Sequence, residues 1–270
     1  MKTDARFQAN AMTARSAKKR VLALFCGCIA GVLLLGAVFA VSECDRNISS
    51  HFHRKFQRPR KAEDAITAIA KDPERHAQFL ERSKQGDIDL VLLGDSITDR
   101  WPRVGEWSWL KLAPYKPANF GIEGDCTEDL LWRLEHGELD AISPKVVVVL
   151  IGSNNVFYFA DETPEWTARG IEKIIAVIQK RSPASRVLLL GIFPRDEKDS
   201  RVRRTITAVN REIQRLDDGA RVRFVDIGAQ FLDSDGNIPA NIMPDKVHLN
   251  AKGYAIWYRS LESILPEMLK

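Results

Sequence analysis

Four short polar segments hold the residue types that acyl transfer requires. They are Gly94-Asp95-Ser96-Ile97-Thr98, Gly121-Ile122-Glu123-Gly124-Asp125, Gly152-Ser153-Asn154-Asn155 and Asp245-Lys246-Val247-His248. Acyl transfer through a covalent intermediate needs a nucleophile, a base in hydrogen-bond reach, a carboxylate to orient that base and donors for the oxyanion. Ser96 supplies a nucleophile, His248 a base and Asp245 the carboxylate, the last two spaced so that one short loop presents both. Gly124 offers a backbone N–H unobstructed by a side chain, Asn154 an amide NH2, and Ser96 its own N–H as a third oxyanion donor. Singly, each segment also reads as ordinary local structure. Gly-Asp-Ser and Gly-Ser-Asn-Asn are common turns, and Asp-x-x-His is a common surface pair or helix cap. The combination, in this order, is the signal. The nucleophile does not sit in Gly-x-Ser-x-Gly, which argues against the elbow of α/β-hydrolases. Asp95 is read as tying its loop through nearby backbone N–H groups, and Asn119, Asp125 and Asn155 as supporting the site.

The elements that must position these residues alternate. Apolar runs at 88–93, 145–151, 187–192 and 222–227 read as buried strands, and helical spacing appears at 62–84, 163–181, 200–217 and 250–268. Continuous apolar strands alternating with helices argue a parallel sheet covered on both faces, a three-layer α/β domain. Ligands of such sheets bind outside the carboxyl ends of the strands, which is where the polar segments fall. Arg201, Arg203 and Arg204 are placed on the solvated face of the 200–217 helix. Trp101, Trp107 and Trp109 are read as packing residues rather than the lining of a groove.

Taken together, the segments resemble the blocks of the SGNH, or GDSL-type, hydrolase superfamily. Ser96, Gly124, Asn154 and His248 match the positions that name the group, and Asp245 its Asp-x-x-His position. The stretches NFGIEGD (119–125), LWRLE (131–135), GEL (137–139), PKVVV (144–148) and GSNN (152–155) are similar to the α-subunits of platelet-activating-factor acetylhydrolases and their bacterial relatives. The resemblance covers residues 88–265 and implies a three-layer α/β/α, flavodoxin-like fold with a mainly parallel sheet of about five strands. It implies catalytic Ser96, Asp245 and His248, and an oxyanion hole of Ser96, Gly124 and Asn154. The expected activity is hydrolysis of small acyl esters, acetyl first, fading on acidification as the imidazole takes a proton. (Lyso)phospholipid esters and O-acetylated cell-surface glycans are the rival substrates, and a homodimer is the partner left open. A non-catalytic surface binding protein is the reading from a different class. No metal or organic cofactor is implied, since no ligand cluster or nucleotide loop is evident. Two departures stand out: Glu123 and Cys126 occupy places where Gly is common. A carboxylate aimed at the oxyanion would oppose its developing charge, so Glu123 is expected to point to solvent.

The chain has 270 residues, enough to bury a core without disulfides or metal. Residues 1–42 hold six basic residues and one acid, which leaves the rest with a net charge of −1 and no sign of a nucleic-acid surface. Residues 21–41 are 21 apolar or small residues without a charge, directly after Lys18-Lys19-Arg20. About 20 such residues span a bilayer, and the run is longer than a signal-peptide core, although Val38-Phe39-Ala40 would serve as a cleavage site. The expected organisation is a basic cytoplasmic N-terminus (1–20), a single transmembrane anchor (21–41), a basic stalk (42–61) and the hydrolase domain (62–270), exported to the periplasm or cell exterior. The flanking Lys/Arg counts tie, so orientation rests on the triplet that abuts the anchor. His51 and His53 in the stalk are read as ordinary polar residues. Cys44 and Cys126 remain for the body, where an oxidising compartment would allow a bridge.

Overall fold

The computed structural model describes residues 59–270. The expected anchor, most of the stalk, Cys44, His51 and His53 lie outside the described residues. Among the described residues no helix is long and apolar enough to cross a membrane.

Five strands, β1 (Leu90–Gly94), β2 (Pro117–Gly121), β3 (Val146–Leu150), β4 (Arg186–Leu190) and β5 (Val222–Val225), form one parallel sheet in the order β2-β1-β3-β4-β5. In chain order the α-helices are α1 (Pro73–Lys84), α2 (Ser96–Asp99), α3 (Trp101–Val104), α4 (Glu106–Leu110), α5 (Thr127–Glu135), α6 (Ser153–Tyr158), α7 (Pro164–Arg181), α8 (Arg201–Ile213), α9 (Ala251–Glu262) and α10 (Leu265–Met268). This is the doubly wound order whose connections reverse between β1 and β3. Side chains alternate across a strand. Val91, Leu93, Val147 and Val149 face a core built with α1, α5, α7 and α8; Leu90, Leu92, Val146 and Val148 face one built with Trp101, Tyr254, Trp257 and Leu261. Both faces are buried, so the strands read as unbroken apolar runs.

The four expected strands are present, and β2 is the one that sequence reading misses. Its sequence, PANFG, has little strand character. It forms as an edge strand, the place where a leading Pro without an N–H is tolerated, in register with β1 from Leu90↔Pro117 to Gly94↔Gly121. The expected helix at 62–84 breaks into a 3-10 turn (Asp64–Ile66) and α1. Pro73 opens α1, and the Asp72 carboxylate accepts the Arg75 N–H at 2.9 Å, a normal N-terminal arrangement. The expected last helix likewise divides into α9 and α10, the latter starting beside Pro266.

Three expectations about side chains need correction or refinement. Arg203 is buried, and its guanidinium donates to the carbonyls of Arg195 (3.0 Å), Asp196 (2.6 Å) and Gly236 (3.3 Å). Arg201 donates to the Val156 carbonyl at 2.8 Å, and only Arg204 of the three is exposed. The loop after β4 closes over the first turn of α8 and brings carbonyl acceptors onto the face that periodicity assigned to solvent. Trp101 is core, its ring 4.2 Å from that of Trp257 and 5.6 Å from Tyr254, and Trp109 packs edge-on against it, but Trp107 is 64% exposed. Arg60 is no part of a solvated stalk. It belongs to the compact unit Pro59–Lys270, and its guanidinium is buried over the Phe159 ring. It donates to Glu162 (2.6 Å) and to both oxygens of Glu128 (2.9 and 3.2 Å).

Removing one member of a buried ion cluster strands its partners without water. Arg60→Met is therefore expected to cost about 3–5 kcal/mol in the free energy of denaturant unfolding. A change below about 1 kcal/mol, the scale of an exposed pair, would place this cluster in solvent.

Candidate active site

β1 ends at Gly94, where a Cβ would stand 2.5 Å from the Leu150 carbonyl oxygen. Only glycine lets β1 run this close to β3 and turn at once into α2. Asp95 caps that helix, its carboxylate accepting the Ile97 N–H at 2.9 Å. Ser96 thus becomes the first helical residue, at the switch point between β1 and β3. The turn is held from two sides. Tyr254 of α9 donates its hydroxyl to the Ile97 carbonyl at 2.7 Å. Asn119 of β2 donates to the Thr98 carbonyl at 2.6 Å and accepts the Gly121 N–H at 3.0 Å.

The segment before α9 brings Asp245 and His248. Asp245 Oδ1 accepts the N–H groups of Val247 (3.0 Å) and His248 (2.7 Å). Its Oδ2 lies 2.6 Å from His248 Nδ1, and His248 Nε2 lies 3.0 Å from Ser96 Oγ. A carboxylate only accepts, so Nδ1 carries the proton and Nε2 is left to accept from the serine hydroxyl. Partial burial pushes the Asp245 carboxyl up, but the His248 and Val247 N–H groups and the His248 ring outweigh it and hold it below the usual carboxylate range. The Asp245 carboxylate is therefore ionised at neutral pH.

Gly124 and Asn154 flank the same edge. Gly124 has φ +74°, a conformation that favours glycine. Asn154, on α6 after β3, donates one amide hydrogen to the Asp125 carbonyl at 3.0 Å, and its oxygen accepts from Arg195 at 3.2 Å. Among the described residues, the backbone N–H groups of Ser96 and Gly124 and the second amide hydrogen of Asn154 have no acceptor. Asp125 is fully buried against the Arg133 guanidinium (3.0 and 3.1 Å), which also pairs with Glu138. Lys71 approaches Asp125 at 3.2 Å and donates to the Glu123 carbonyl. Asn155 spans to α5, accepting the Thr127 N–H at 2.9 Å and donating to Glu128 at 3.0 Å. The Glu123 carboxylate points to solvent as expected and pairs with Arg100. Cys126 is buried at the start of α5, where Asp129 accepts its N–H at 2.8 Å.

The structure brings Ser96, His248 and Asp245 into one line of contacts, bonds Asn154 to the Asp125 carbonyl and Asn119 to the Thr98 carbonyl, and turns Asn155 away to Thr127 and Glu128. Arg195, Lys71, Arg100 and Arg133 were missed. Arg195 was legible in part, since it closes the segment that follows β4, a strand end of the same kind as those carrying Ser96 and Asn154. The other three are called in by folding alone, because their carboxylate partners are distant in sequence or belong to a different element. No group of three His, Cys, Asp or Glu side chains among the described residues is arranged to hold a metal ion.

Asp95 carries a pH signature. Complete burial pushes its carboxyl up to about 6, against the pull of the Ile97 N–H and Arg195 and with help from Asp125. The folded state thus keeps a proton that the unfolded chain releases near 3.8. The charge penalty is absent at low pH and complete above about pH 6. Asp95→Asn retains the Ile97 acceptor without the charge. It is expected to raise unfolding free energy by up to about 3 kcal/mol at pH 8 and by less at pH 4.5. Equal gains at both pH values would show that Asp95 is not titrating there.

Residues 92–256 match the GDSL-like Lipase/Acylhydrolase family. Over 213 residues the chain is 36% identical to the platelet-activating factor acetylhydrolase IB subunit alpha2 of Rattus norvegicus, covering 78% of this chain and 90% of that one. It is 36% identical over 195 residues to the alpha1 subunit of Homo sapiens, covering 72% and 82%. A GDSL-like lipase from Bacteroides thetaiotaomicron shares the fold, with a TM-score of 0.59 at 17% identity over 71% of this chain and 97% of that one. With a matching family region that contains all four polar segments, and relatives aligned over most of its length, the chain belongs to the GDSL-like lipase/acylhydrolase family and is a carboxylic ester hydrolase.

Proposed function

We propose that this protein is a membrane-anchored serine esterase that removes small acyl groups, acetyl foremost. The observation that carries the reading is the unbroken line of contacts from Asp245 through His248 to Ser96, 2.6 and 3.0 Å long. Ser96 Oγ attacks the ester carbonyl while His248 Nε2 takes its proton; Asp245 steadies the imidazolium that forms. The Ser96 and Gly124 N–H groups and the free Asn154 amide hydrogen receive the oxyanion. As the intermediate collapses, His248 returns the proton to the leaving alcohol and an acyl-enzyme remains. Water, deprotonated by the same imidazole, then attacks it and releases the acid and Ser96. Arg100 holds the Glu123 carboxylate at the surface, away from the developing charge.

The acetylhydrolase relatives favour a short acyl chain carried on a lipid alcohol, ahead of a glycan O-acetyl ester. An anchor at 21–41 would hold the domain beside such a substrate, and the basic triplet before it supports an exported domain. The full chain is expected to stay with membranes under alkaline carbonate wash. Release into the wash would remove the anchor from this account.

Hydrolysis of p-nitrophenyl acetate, butyrate and octanoate is expected to fall in that order. Ser96→Ala should abolish it, and Asn154→Ala should lower kcat by about 10²–10³-fold. Folded wild-type protein that hydrolyses none of the three esters would contradict the assignment. A preference for octanoate would move it to a long-chain lipase.

A further inference from the structure

We propose that Arg195 is a positioning residue that sets the direction of the Asn154 amide, and through it the oxyanion site. The inference rests on the reading of Asn154 as an oxyanion donor and extends it to a residue on a different strand end. An asparagine amide is nearly symmetric in shape, and only its neighbours decide which way it faces. Arg195 has donors and no acceptor, so the atom 3.2 Å from its Nη1 must be the Asn154 oxygen. On the other side the Asp125 carbonyl, an acceptor, takes an Asn154 N–H at 3.0 Å. The two contacts together leave one amide hydrogen for the edge where Ser96 lies. With Arg195 gone, only the Asp125 contact would resist a flip that turns the amide oxygen toward the oxyanion.

Arg195 is built for a fixed orientation. It is 8% exposed, donates to Ser153 Oγ at 3.2 Å, and stacks its guanidinium 3.8 Å from the centre of the Phe157 ring, so it grips α6 at three residues. Its own carbonyl is held by Arg203 at 3.0 Å. The next residue, Asp196, donates its N–H to the Lys246 carbonyl at 2.9 Å, which ties this loop to the segment carrying Asp245 and His248. A cation on the carbonyl side also draws charge from the amide and makes its N–H groups better donors. Arg195 has a second neighbour, the buried Asp95, so its effect on Asn154 must be separated from its effect as a counter-charge.

The test uses the full chain with Arg195→Met and Arg195→Lys, alone and combined with Asn154→Ala. Arg195→Met is expected to lower kcat about 10–100-fold, less than loss of the donor itself, with KM changed less than about twofold. In the Asn154→Ala background the same substitution should cost less than about twofold, because the two act as a unit. Arg195→Lys, which keeps a donor and the charge, should recover part of kcat. An equal loss in both backgrounds, or a loss confined to KM, overturns the proposal. A second readout does not depend on turnover. In protein labelled with 15N at asparagine, the side-chain NH2 signal that vanishes in Asn154→Ala should shift in Arg195→Met and less in Arg195→Lys. An unmoved signal overturns the proposal even if the enzyme is active. A moved signal in a protein that hydrolyses no ester supports Arg195 as positioning Asn154 while the esterase reading fails.

Discussion

Everything at this site depends on how closely three backbones approach at the carboxyl edge of the sheet. β1 lies in register with both β2 and β3, so that Gly94 pairs with Gly121 on one side and Leu150 on the other. A side chain at 94 would collide with the Leu150 carbonyl. That proximity sets Ser96, Gly124 and Asn154 around the point where the sheet connections reverse, where ligands of such sheets bind. The segment ahead of α9 then has only to lay His248 across the opening from the far end of the chain. Ser96 is held by helix geometry and His248 by the Asp245 carboxylate three residues away.

The second theme is buried charge. Behind the Gly124 segment, Asp125, Arg133 and Glu138 form one buried cluster; behind Asn155, Arg60, Glu128 and Glu162 form another. Such clusters add little net stability compared with apolar packing, yet breaking one is expensive. Their positions suit rigidity: Asp125 accepts from the Asn154 amide through its carbonyl, and Glu128 accepts from Asn155, the next residue along α6. Burial of Glu162 drives its carboxyl up against the pull of Arg60, the sign that this charge is out of water. The pair of Arg100 with Glu123 differs in lying at the surface, where it keeps that carboxylate directed to solvent.

Much of this was legible in the sequence. Four strands announce themselves because both of their faces are buried, and the polar segments follow from the rule that chemistry gathers at strand ends. What was not legible has physical reasons. β2 is recruited by the edge of β1 and by Asn119, not by its own propensity. Arg203 belongs by periodicity to the solvated face of α8, but carbonyls from the loop after β4 claim it. Arg60 sits in a basic, Pro-containing stretch that composition assigns to solvent, and only distant carboxylates draw it inside. Arg195 lies between the two cases: its place after a strand could be read, but its partner could not.

The central claim is that Ser96 is made nucleophilic by His248 and forms a covalent acyl intermediate. The most direct measurement is mass spectrometry of the full chain after reaction with a fluorophosphonate, which reports the activated serine without reference to any natural substrate. The account predicts a single adduct on the peptide containing Ser96, formed at least about 10²-fold more slowly in His248→Ala. A folded protein that takes up no label, or takes it up equally fast without His248, would contradict it.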